Sequence, residues 1–71
     1  MPREGNAQMP AAPTGGEVFV EFVVHGSVVK VTAIDSKTGT EGCIVGPANA
    51  SRAALQMAAL RKLEYILKKN G

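Results

Sequence analysis

The chain has 71 residues, a net charge of +2 and a single cysteine. That is one domain at most, with no intramolecular disulfide, and one His with one Cys cannot build a zinc site. A core of this size rarely supplies more than about 3 to 5 kcal/mol, so without a staple the composition favours unusually good packing or self-association.

Residues 1–16, MPREGNAQMPAAPTGG, hold three of the four prolines and three of the eight glycines. They show no apolar periodicity and read as a disordered N-terminal tail. A signal peptide would need a continuous apolar core after a basic start, which is not present. The apolar runs fall far short of the roughly 18 residues of a membrane span. The expected location is the cytoplasm, with no membrane contact, and residues 17–71 form the single domain.

EVFVEFVV (17–24) is rich in strand formers. Val18, Val20, Phe22 and Val24 share one face, and Glu17, Phe19, Glu21 and Val23 the other. SVVKVTAI (27–34) puts Val29, Val31 and Ala33 opposite Val28, Lys30, Thr32 and Ile34. A two-residue turn at His25-Gly26, or equally at Gly26-Ser27, joins them as a hairpin. Both choices give the same two faces. The first would set Glu21 opposite Lys30.

DSKTGTE (35–41) reads as a second turn, with Asp35 capping it and Gly39 supplying a positive φ. TEGCIV (40–45) is a third strand whose register stays open: either Ile44 joins Val29 and Val31, or Cys43 and Val45 do. Asn49 or Ser51 can cap the helix RAALQMAALRKLEYILKK, which Asn70-Gly71 ends. At 100° per residue, Leu55, Ile66, Ala59, Leu63, Leu67, Leu60, Ala53 and Met57 fill an arc of roughly 200°. One neighbour needs an apolar stripe of only about half that width. The surplus implies two neighbours: the chain's own sheet and a second copy.

The expected fold is therefore α+β, a three-stranded antiparallel meander followed by one C-terminal helix packed on its valine face. Two copies are expected to associate, side by side or by exchanging an element about a turn. The candidate interface is Leu55, Ala59, Leu63 and Ile66 on the helix, with Phe19, Val23 and Val28 on the sheet as second choice.

No catalytic constellation is legible. His25 has only Ser27 nearby, and a nucleophilic pair needs a base and an orienting group. Cys43 reads as a small buried apolar residue. The glycines form no phosphate loop. No cofactor or metal is expected, and the expected function is a non-enzymatic interaction module. Two alternatives stay open: an accessory subunit of a larger enzyme or complex, with an unknown protein partner, and nucleic-acid binding through Arg52, Arg61, Lys62, Lys68 and Lys69. The helix resembles the last helix of the double-stranded-RNA-binding domain at Ser51, Arg52, Ala58 and Ala59. Ala53 and Gln56, however, stand where that family has lysines.

VKVTAID, the TGTE turn, IVGP and KLEYIL together resemble a family of short uncharacterised alphaproteobacterial proteins, over residues 17–69. The resemblance implies no mechanism. Members are sometimes labelled serine hydroxymethyltransferase, which the residues contradict. Some 54 residues, with Lys30 and Lys37 in a hairpin, cannot build a Schiff-base lysine pocket and a phosphate cup.

Overall fold

The structure, a computed structural model, describes residues 6–9 and 15–70. Strand β1 (Asn6–Met9), β2 (Val18–His25), β3 (Val28–Asp35) and β4 (Glu41–Pro47) are followed by helix α1 (Arg52–Asn70). The sheet is antiparallel throughout, in the order β1-β2-β3-β4. The expected meander and its C-terminal helix are β2, β3, β4 and α1.

β1 is an addition. Its residues fell within the expected tail, yet they pair with residues 18–21 of β2. Asn-Ala-Gln-Met alternates polar and apolar over only four residues, too short a run to announce a strand, so the pairing depends more on the backbone edge that β2 offers than on a local pattern. The rest of the tail expectation, at residues 1–5 and 10–14, lies outside the described residues.

The first hairpin turns at Gly26-Ser27, with His25 opposite Val28. Gly26 has φ +60, and among the described residues none other than glycine has a positive φ. That combination is a type II′ turn, whose twist suits the flanking strands. Of the two turns that the sequence offers equally this is the second, so Glu21 faces Thr32 and Lys30 faces Val23, and the Glu21–Lys30 pairing tied to the His25-Gly26 turn does not form. The faces survive that change. Val20 and Val31 are fully buried, Phe22 and Val29 nearly so, all on the helix side.

The second turn is built on Asp35. Its carboxylate accepts hydrogen bonds from Thr38 Oγ1 at 2.7 Å, Thr38 N at 3.3 Å and Lys37 N at 3.4 Å. Gly39, at φ +75, donates its N–H to the Asp35 carbonyl at 2.8 Å. Asp35 is completely buried. Glu17 and Ser36 close the same corner, with Ser36 N donating to Glu17 O at 2.8 Å and Glu17 N donating to Ser36 Oγ at 3.0 Å. A buried carboxylate costs several kcal/mol unless donors surround it, and the turn supplies them.

β4 resolves the open register: Ile44 lies opposite Val31, on the helix side, together with Gly42 and Gly46. Those two glycines form the seat of the helix. A Cβ at Gly42 would lie 2.6 Å from Leu63 N and 2.8 Å from its Cα, and one at Gly46 would lie 2.6 Å from Leu55 Cδ2. Leu55 to Leu63 is eight residues of helix, about 12 Å. Gly46 to Gly42 is four residues of strand, about 13.6 Å. The helix therefore runs back along β4, with Leu55 and Leu63 over the two glycines and fully buried Ala59 midway.

Ser51 starts the helix, its Oγ accepting from Ala54 N at 3.3 Å and its carbonyl from Leu55 N at 3.0 Å. Of the two expected caps it is the one used. Lys68 and Lys69 occupy the last turn, where the dipole favours them.

Two predictions follow from this packing. Gly42→Ala drives a methyl into helix backbone and should cost about 1 to 3 kcal/mol, while Gly46→Ala meets only the end of a leucine side chain and should cost clearly less. Urea unfolding of both variants checks the ranking. Asp35→Ala removes the buried acceptor of three hydrogen bonds that hold the turn and should lower stability by about 1 to 3 kcal/mol in the same assay.

Candidate functional site

With α1 on one side, the other side of the sheet is left open by every described residue. Pairing across β2, β3 and β4 arranges it in four rows: Phe19–Ile34–Glu41, Glu21–Thr32–Cys43, Val23–Lys30–Val45 and His25–Val28–Pro47. Val45 is 66% exposed, Val28 42% and Phe19 41%, which is unusual for large apolar side chains. Val23, Ile34 and Cys43 are half-buried beside them, and Thr32 at the centre is buried. Charge on this face is sparse: Glu21, Lys30 and Glu41. The result is a mainly apolar plate with one basic and two acidic points.

The residues expected at an interface divide sharply. Leu55, Ala59 and Leu63 are 8%, 0% and 1% exposed, packed into the chain's own core, and so offer no surface to a second molecule. Ile66 is half-buried at the rim. The sheet takes more of the apolar arc than one stripe, because Leu60 and Leu67 also pack against the core. Of the surplus only Ala53 and Met57 remain exposed, Met57 by half. Phe19, Val23 and Val28, the second choice, all lie on the open face. Val45 joins them once the β4 register is known. The signal for that register was the Gly-x-Ile-x-Gly alternation, which gives the face under the helix its smallest side chains.

Arg61, Lys62, Lys68 and Lys69 are exposed on the solvent side of α1. By helical spacing they fall along two lines about 100° apart. Arg52 stands away from them. Its guanidinium carbon sits 4.7 Å from the centroid of the Phe22 ring, where it covers the end of the core. Lys69 Nζ lies 5.7 Å from the Tyr65 ring centroid. The five expected nucleic-acid contacts therefore do not form one surface.

His25 is exposed at the hairpin turn, and Cys43 is half-buried on β4. They lie two rows and two strands apart, roughly 17 Å on sheet geometry, too far to act as base and nucleophile. Among the described residues no group of three or more His, Cys, Asp or Glu could hold a metal ion. No helix among them is long and apolar enough to cross a membrane. A shallow hollow between Ser27, Val28, Pro47, Ala48 and Asn49 sits at the end of the open face and carries no charged group.

These features define a small α+β protein with a helix-covered sheet and an exposed apolar face. Residues 15–70 match a family described as a domain of unknown function (DUF6898), and the chain belongs to that family. No curated protein and no solved structure matches the chain.

The Arg52–Phe22 contact yields a prediction of its own. Arg52→Ala should lower stability by about 0.5 to 1 kcal/mol, and Arg52→Lys by less, since an ammonium still faces the ring. Paired denaturation curves check both.

Proposed function

We propose that this protein is a small non-enzymatic interaction module that acts in the cytoplasm as a homodimer joined through the open face of its sheet. The observation that carries this reading is the exposure of Val45, Val28 and Phe19 on one continuous face while the helix occupies the other. Contiguous apolar surface of this kind marks an interaction site more often than bare solvent contact. Size supports it as well, because a domain this small gains much from covering a second sheet face. The separation of His25 from Cys43, and the use of Asp35 within its own turn, support a non-enzymatic role. In this reading the basic side of α1 stays outside the interface.

Light scattering across a concentration series should give a mass near twice 7.4 kDa. Val28→Asp combined with Val45→Asp should give a monomer whose circular dichroism is unchanged, since both side chains point away from the core. A strict monomer in the unmodified protein would sink the homodimer and reassign the same face to a different protein.

A further inference from the structure

We infer that the two copies meet sheet on sheet with antiparallel strands, about a two-fold axis running across the strands, and that Lys30 of each copy pairs with Glu21 of the other. This rests on the homodimer reading above and adds the geometry of the contact. The argument comes from the charge pattern of the open face. Glu21 lies on β2 in the second row and Lys30 on β3 in the third. Within one chain they are diagonal neighbours, about 7 to 8 Å apart at the backbone. Among the described residues neither makes an ion pair.

Face-to-face packing of two identical sheets with nearly aligned strands allows a two-fold axis along the strands or across them. An axis along the strands keeps each residue in its own row. Lys30 of one copy then lies beside or above Lys30 of the other, with like charges closest. An axis across the strands, between the second and third rows, exchanges those rows. Lys30 then sits over Thr32 of the other copy and is offset by one strand spacing, about 4.8 Å, from its Glu21 across the roughly 10 Å between the sheets, a span that the two long side chains can bridge. Symmetry makes the pair twice.

The same axis sets Ile34 against Val28 and Cys43 against Val45 of the other copy, apolar on apolar. A partly buried pair of this kind contributes register and orientation more than raw affinity. It gives an otherwise flat apolar plate a single self-complementary arrangement.

The test is a charge-reversal mixing experiment, read by sedimentation at low salt with one variant fluorescently labelled. Glu21→Lys and Lys30→Glu, made separately, should each weaken the dimer by roughly tenfold or more. Mixed in equal amounts they should form a mixed dimer of near wild-type affinity, because each reversed charge meets an opposite one across the interface. A pair confined within one chain could not be restored by mixing. The Glu21→Lys/Lys30→Glu double variant provides a second reading: it should pair with itself and reject the unmodified protein. Single variants that dimerise as tightly as the unmodified protein, or a mixture that stays monomeric, would overturn the arrangement while leaving the homodimer standing. An unmodified protein that is itself monomeric would instead remove the homodimer.

Discussion

The fit of α1 onto Gly42 and Gly46 is the constraint on which the rest of the structure depends. Helix and sheet usually keep their distance because side chains from both fill the space between them. Here β4 contributes no side chain at two points, and the helix backbone at Leu63 comes down to within a methyl group of the strand. The near match between eight residues of helix rise and four of strand rise lets the contact be made at both ends. That fixes the direction of the helix, antiparallel to β4, as well as its height. The leucines that would otherwise need pockets drop into the space the glycines leave.

Seating the helix over β4 and β3 has a cost on the other side of the sheet. A single helix can cover only one face, and the chain has no second layer among its described residues. The open face is consequently neither a solvent face, with clean alternation into polar residues, nor a buried one. Phe19, Val28 and Val45 place it between the two, and that intermediate character is what supports the proposed association surface. The helix, which supplied the first expectation of an interface, is by contrast largely satisfied within its own chain.

Much of this was legible from the residues, and the exceptions have physical reasons. The faces of β2 and β3 followed from period-two alternation, which is insensitive to where the hairpin turns. The cross-strand partners were not, because they change with the turn: Gly26-Ser27 instead of His25-Gly26 moves Lys30 from Glu21 to Val23. The capping role of Asp35 and the positive φ of Gly39 were readable because turn chemistry is local. β1 was not readable, since its pairing partner lies about a dozen residues away, past Pro10, Pro13, Gly15 and Gly16, and its own alternation spans only four residues. The helix arc was read correctly as wide. Its width was assigned to two neighbours because the close approach at Gly42 and Gly46, which lets one sheet receive more of the helix, follows only from knowing that both glycines face it. The open face could be suspected from Phe19, Val23 and Val28, and it became complete only when the β4 register turned Val45 outward.

The order of elements along the chain is also their order in space: β1 beside β2, β2 beside β3, β3 beside β4, and α1 laid back over the strand it has just left. No crossover interrupts the series. Each contact can form by closing a short loop onto structure that already exists, and the entropy of closure stays near its minimum at every step. Among sheet proteins, which are slow when distant strands must find each other, such a topology belongs toward the fast end. The turn held by Asp35 sits at the middle of that series, and the hydrogen bonds that Lys37, Thr38 and Gly39 donate to Asp35, with that from Asp35 to Thr40, span five residues or fewer. It can therefore organise early and set the register in which β4 later receives the helix, so that a chain with little stability to spare has few competing ways to assemble.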